Sequence, residues 1–289
     1  MFPTVECHRG PPGRFRLPHT GAGPVPSRGG GTSTMTTTTA DGLWARSYHP
    51  APDRPRQLVC FPHAGGSASF FFPVSAQLAP VAEVLSVQYP GRQDRRTEAS
   101  PDDIGTMADL VYAALKDRLR SRPTAFFGHS MGAMVAFEVA RRLEADGGEL
   151  THLFASGRRA PSRYRAESVH RRDDEGIVAE LKLLSGTDAA LLGDEELLRM
   201  ILPAIRSDYT AVETYRCDPG AAIKAPITAL TGDDDPKTTL EEAGDWRAHT
   251  TGAFDLKVYP GGHFFLSSQA PAVLALLREH LARGEEFTR

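Results

Sequence analysis

Three residues far apart in the chain could together carry out acyl transfer. Ser130 stands at the centre of Gly128-His-Ser-Met-Gly132, a G-x-S-x-G spacing. A serine hydroxyl is a weak nucleophile until a base takes its proton, and the base works best when an acid orients its ring and balances its charge. His263, in Gly261-Gly-His-Phe-Phe265, is the candidate base. The acid is sought in Thr231-Gly-Asp-Asp-Asp-Pro236, which gives the chain order Ser, Asp, His. Three consecutive aspartates leave the choice open. Asp235 is preferred because the following proline holds its backbone extended, with Asp234 and then Asp233 behind it.

Attack on a carbonyl creates an oxyanion, and the donors that stabilise it are usually backbone N–H groups. One expected donor is the amide of Met131, directly after the serine. The second is expected from a glycine-rich loop early in the chain, Pro62-His-Ala-Gly-Gly66, with Ala64 as the donor. His63 is read as shaping that loop, and His129 as an elbow residue whose side chain points away from that of Ser130.

These groups need a scaffold that brings distant loops to one edge. Ala125-Phe-Phe127 before Gly128 has the look of a buried strand, and Val135, Phe137, Val139 and Leu143 after Gly132 have helical spacing. The serine therefore tops a sharp strand-to-helix turn, close to the helix N-terminus, where amides and the helix dipole favour negative charge. Further strands are predicted at Gln57–Phe61, Val84–Val87, Leu153–Ala155, Ile227–Leu230 and Phe254–Tyr259, and an alternating edge strand at Leu43–Tyr48. Helices are predicted from Phe70 to Leu78, from Ile104 to Leu119 and from Ala272 to Leu281. Short apolar strands alternating with helices imply an α/β fold with a mostly parallel central sheet covered on both faces. Between Gly157 and Ala225 the alternation stops, and three helical patterns replace it: Ile177–Leu184, Glu195–Leu202 and Ala204–Tyr215. An insertion at that point is expected to form a helical lid over residues 158–225, with some of its apolar residues, among them Leu181, Leu184, Leu198, Ile201 and Leu202, facing the substrate.

Residues 1–40 are rich in Gly, Pro, Ser and Thr and lack a hydrophobic period, so a disordered N-terminal extension is expected ahead of one domain over 41–289. Met35 is an alternative start. A net charge of −3 and 24% charged residues exclude the overall basic signature of a nucleic-acid binder. Cys7, Cys60 and Cys217 have neither disulfide-framework nor zinc-site spacing, which favours a reducing, cytoplasmic setting. No apolar run is long enough to cross a membrane.

The motifs taken together resemble the type II thioesterases that accompany polyketide and nonribosomal peptide synthases, within the α/β-hydrolase superfamily. The resemblance runs from Leu43 to Leu281 through Phe61-Pro-His-Ala-Gly-Gly66, Gln88-Tyr-Pro-Gly-Arg92, Phe127-Gly-His-Ser-Met-Gly132, Ser156-Gly-Arg-Arg-Ala-Pro161, Leu184-Ser-Gly-Thr187, Arg206-Ser-Asp-Tyr209, Gly232-Asp-Asp-Asp-Pro236 and Gly261-Gly-His-Phe-Phe-Leu266. It implies hydrolysis of aberrant or stalled acyl groups from the phosphopantetheine arm of acyl carrier or peptidyl carrier proteins. Ser130, Asp235 and His263 would be the triad, and Ala64 and Met131 the backbone donors. No cofactor or metal is implied beyond the arm that the substrate itself carries, and neither nucleic acid nor membrane is an expected partner. An acidic carrier would need a basic surface, for which Arg92, Arg95, Arg96, Arg158, Arg159, Arg163 and Arg165 are the candidates. A general carboxylesterase, an acyl-CoA thioesterase and an acyltransferase are the competing activities.

Overall fold

Strands buried on both faces need apolar side chains on both, and the two sides of each strand sort cleanly. On β2 (Gln57–Phe61), Leu58 and Cys60 pack into one core while Val59 and Phe61 pack into the other. The structure, a computed structural model, describes residues 40–184 and 194–282. The expected N-terminal extension, Cys7 and the Ser185-Gly-Thr187 part of one motif lie outside the described residues. In chain order the remaining elements are α1 (Ala40–Trp44), β1 (Ala45–Arg46), α2 (Phe72–Leu78), β3 (Glu83–Val87), α3 (Ile104–Arg120), β4 (Thr124–His129), α4 (Met131–Ala145) and β5 (His152–Ser156). These are followed by α5 (Asp174–Leu184), α6 (Glu195–Thr214), β6 (Ile227–Gly232), α7 (Leu240–Gly244), β7 (Phe254–Tyr259), α8 (Phe265–Ser268) and α9 (Ala270–Ala282).

The seven strands form one sheet in the order β1-β3-β2-β4-β5-β6-β7. Only β1 runs antiparallel, pairing Ala45 with Val87 and Arg46 with Ser86. Helices α3 and α4 contribute Val111, Leu115, Val135 and Phe137 to the core on one face, and α2 and α9 contribute Leu78, Val273 and Leu277 on the other. Strand β2 pairs with β3 on one side and with β4 on the other, both parallel, so the order in which successive strands are added reverses there. A crevice opens outside the carboxyl ends of strands at such a switch point. The loops after β2 and β4 carry Ala64 and Ser130.

Two elements differ from the sequence expectation. The expected edge strand over Leu43–Tyr48 shrinks to Ala45–Arg46, because Leu43 and Trp44 close the short helix α1. The two helical patterns separated by Pro203 form the single twenty-residue helix α6. Proline removes one backbone N–H donor, a cost of roughly 3 kcal/mol in a helix interior. Capping by Asp194, which accepts the Glu196 and Leu197 amides at 3.0 Å, and a packed apolar stripe of Leu202, Ile205 and Tyr209 offset it.

Candidate active site

The elbow after β4 is built by close backbone contact. A Cβ on Gly128 would stand 2.3 Å from the Gly132 carbonyl oxygen, and one on Gly132 would stand 2.0 Å from that of Phe61. Any side chain there would force α4 away from the sheet. Ser130 takes φ 54° and ψ −118°, outside the ordinary regions for a residue with a side chain. Its amide donates to Ser156 O at 2.8 Å, which ties the strained turn to β5.

His263 bridges the serine and one aspartate. Its Nε2 lies 3.0 Å from Ser130 Oγ, and its Nδ1 lies 3.0 Å from both carboxylate oxygens of Asp235. With Nδ1–H donating to the carboxylate, the neutral ring presents Nε2 as acceptor to the hydroxyl. The two side chains are 3% and 0% exposed, so the pair is shielded from solvent. Asp235 Oδ1 also accepts the Lys237 amide at 2.8 Å. Asp233 and Asp234 are exposed, and Asp233 Oδ1 instead accepts the Gly261 amide at 2.9 Å. The structure thus brings Ser130, His263 and Asp235 into one hydrogen-bonded row.

Ala64 lines the same pocket as Ser130 and His263. Met131 opens α4, so its amide has no partner within the helix. Ala64 and Ser130 thus line one pocket, and Met131 follows the serine directly. Behind His263 stand two further imidazoles. His129 lies 5.2 Å from it, ring to ring, and its Nδ1 pairs with Ser156 Oγ at 3.0 Å. His63 packs edge-on against Phe70 and Phe264. Burial, followed by the neighbouring His263 charge, pushes the His63 pKa down to about 3 and holds that of His129 well below the usual imidazole range. Among the described residues neither is paired with a carboxylate; His129 is buried, and His63 is half-buried with its Nδ1 shielded and unpaired.

The pocket above the serine is roofed by the insertion through Leu181 and Leu184 of α5 and Tyr209, Val212 and Glu213 of α6. Some of the insertion's apolar residues are expected to face the substrate, and Leu181 and Leu184 do line the pocket. Leu198, Ile201 and Leu202 pack instead into a small core within the insertion, with Ile177 and Ile205. Sequence reasoning missed the polar part of the roof, Glu167, Glu213 and Lys237. Lys237 pairs with Glu167 at 3.2 Å and also with Glu180, while Arg159 pairs with Glu167. Against the burial that would raise it, the Arg159 hydrogen bond and the Arg159 and Lys237 charges bring the Glu167 carboxyl down to about 2.

The expected basic surface is not there. Arg92, Arg95, Arg158 and Arg159 are buried, and Arg92, Arg95 and Arg159 pair with Asp208, Glu98 and Glu167. Arg163 pairs with Glu241 and Asp245, and Arg165 with Glu242. A guanidinium removed from water needs acceptors: Glu98, three residues on, serves Arg95, the more distant Asp208 and Glu167 serve Arg92 and Arg159, and the Val212 carbonyl serves Arg158. Of the seven, Arg96 alone is exposed without a carboxylate partner. Among the described residues no group of His, Cys, Asp and Glu is arranged to hold a metal ion.

A strand-to-helix elbow on a mostly parallel sheet, with a histidine and an aspartate arriving from the last two strand ends, defines an α/β-hydrolase. The sequence profile of the family described as "Thioesterase domain" matches residues 56–281, and the chain belongs to that family, making it a hydrolase that acts on thioesters. It is similar to the "Probable cadicidin biosynthesis thioesterase" of Streptomyces griseus, with 60% identity over 239 residues, 82% of this chain and 66% of the relative. It is also similar to "Thioesterase PikA5" of Streptomyces venezuelae, with 51% identity over 241 residues, 83% of this chain and 86% of the relative. Among solved structures it resembles the type II thioesterase BorB from the borrelidin biosynthetic cluster, with a TM-score of 0.78, 52% identity, and 83% and 98% of the two chains covered.

Proposed function

We propose that this enzyme hydrolyses aberrant or stalled acyl groups from the phosphopantetheine arm of carrier proteins in polyketide or related biosynthesis, in the cytoplasm. The observation that carries the chemistry is the row Ser130–His263–Asp235 opening into a pocket roofed by the insertion. The relatives named for biosynthetic clusters support the substrate class.

Ser130 Oγ attacks the thioester carbonyl carbon while His263 Nε2 takes the hydroxyl proton. The resulting imidazolium is held by the Asp235 carboxylate at Nδ1. The carbonyl oxygen, now an oxyanion, accepts N–H bonds from Ala64 and Met131. Collapse breaks the C–S bond, and the departing sulfur takes the proton from His263. A water molecule then gives a proton to Nε2 and attacks the acyl-Ser130 ester, and the second collapse breaks the bond to Ser130 Oγ, which takes that proton back from His263 as the carboxylic acid leaves. The buried imidazole–carboxylate pair keeps the proton on one path, because neither Asp233 nor Asp234 reaches the ring.

The test presents one acyl group on a carrier protein and on coenzyme A and compares kcat/KM. A carrier preference of at least about tenfold is expected, and equal efficiency would leave a general acyl thioesterase.

A further inference from the structure

Three segments that the proton path does not use meet at one buried ion pair. Arg92, in the loop after β3, and Asp208, on α6, have side chains 5% and 0% exposed. Asp208 Oδ2 accepts both an Arg92 N–H and, at 2.7 Å, the amide of Gly65. Arg92 Nε donates to the Gly66 carbonyl at 2.9 Å, and its Nη1 donates to Pro90 O at 2.6 Å. The Gly66 amide closes a turn onto His63 O at 2.9 Å, so Ala64 and Gly65 are the two central residues of that turn. Gly65 has φ +75°, and a Cβ there would stand 3.0 Å from Ile205 of α6. Helix α6 therefore lies directly on the loop that carries Ala64.

The Ala64 N–H shares its peptide plane with the His63 carbonyl, which accepts the Gly66 amide at 2.9 Å; the following plane is held through Gly65 N–H by Asp208, and the Gly66 carbonyl is held by Arg92. With both ends of the turn fixed, the direction of the Ala64 amide is fixed as well. We propose that Asp208, acting with Arg92, is a positioning residue that aims the Ala64 N–H at the oxyanion and joins that loop to the roof helix. It rests on the reading of Ser130 as nucleophile and of Ala64 as an oxyanion donor.

Stability alone is a poor reason for this arrangement. Burial raises the Asp208 carboxyl against the opposing Arg92 charge, and its second oxygen, Oδ1, is buried without a partner. A buried ion pair is often no more stabilising than apolar side chains of the same volume, so its use at this loop fits a demand for orientation.

The test uses Asp208→Asn, Asp208→Ala and Arg92→Lys in the full chain, with a short acyl thioester of N-acetylcysteamine as substrate. Active sites are counted by stoichiometric fluorophosphonate labelling, and rates are expressed per labelled site. Asparagine keeps an oxygen for the Gly65 amide but loses the charge that holds Arg92, and alanine loses both. The expected fall in kcat is about 10-fold for asparagine and about 100-fold for alanine, with KM changed less than about twofold. A trifluoromethyl ketone analogue, to which Ser130 Oγ adds as its proton passes to His263, leaves an oxyanion in the same place. Its affinity should weaken in proportion to kcat, while that of the product carboxylate stays constant. If both Asp208 variants fail to fold, Arg92→Lys carries the same readouts, with an expected kcat loss of about 10-fold. A purely structural pair would lower the number of labelled sites and the melting temperature but leave kcat per site and ketone affinity unchanged, and that result overturns the proposal. Ser130→Ala on the same thioester separates the two readings, because retained hydrolysis there removes the nucleophile assignment whatever Asp208 does.

Discussion

The floor and the roof of the pocket are held in place by different physics. On the floor, Ser130, His263 and Asp235 stand on turns that end strands β4, β7 and β6, and backbone contact fixes them: the elbow closes because Gly128 and Gly132 have no side chains. In the roof, Glu167, Glu180, Glu213 and Lys237 are placed by ion pairs and hydrogen bonds between residues tens of positions apart. Backbone geometry of the first kind is written in a few consecutive residues. Pairing of the second kind is written nowhere locally, and it can be altered one residue at a time without disturbing the sheet.

The largest expected effect lies on the floor. Separate Asn substitutions at Asp233, Asp234 and Asp235 should lower kcat by about 10⁴ at Asp235 and by less than about 10-fold at the other two. Only Asp235 is buried against the imidazole; Asn there keeps the shape but favours the wrong tautomer of His263. If the largest loss falls at Asp233 or Asp234, the proton path described here is wrong.

A smaller effect is expected in the roof. Leu181→Phe and Leu184→Phe project bulk into the pocket, so the ratio of kcat/KM for long and short acyl chains should fall by about tenfold, since one or two methylenes in an apolar pocket are worth about 1–3 kcal/mol. The same change at Leu198, which packs within the insertion, should lower the melting temperature and leave chain-length preference alone. Equal shifts at all three positions would show that the roof does not divide into lining and support.

The contrast also explains what the sequence revealed. The elbow, the late histidine and the early glycine loop were legible because each is a short run whose residue types are forced by one turn. The α/β class was legible because buried parallel strands read as short apolar runs. Burial of the arginines was not, since Arg159 meets Glu167 and Arg92 meets Asp208 only after the chain has folded. Composition alone reads such residues as a solvated surface. The continuity of α6 through Pro203 was hidden for a related reason: local propensity ends a helix at proline, and only the packing of Leu202, Ile205 and Tyr209 carries it onward. Lys237 follows Asp235 by two residues, yet nothing in that spacing indicates that its side chain turns to Glu167 and Glu180.

The most direct measurement is intact-protein mass spectrometry of a carrier protein loaded with an acyl group and incubated with the enzyme or with Ser130→Ala. With the enzyme, the acyl mass should leave the carrier within minutes and the phosphopantetheine arm should remain as the free thiol. With Ser130→Ala, release should slow by about 10⁴ or more, so the carrier stays loaded over the same interval. A carrier unloaded equally fast by Ser130→Ala, or left loaded by the unaltered enzyme, would contradict a serine-dependent release of carrier-bound acyl groups.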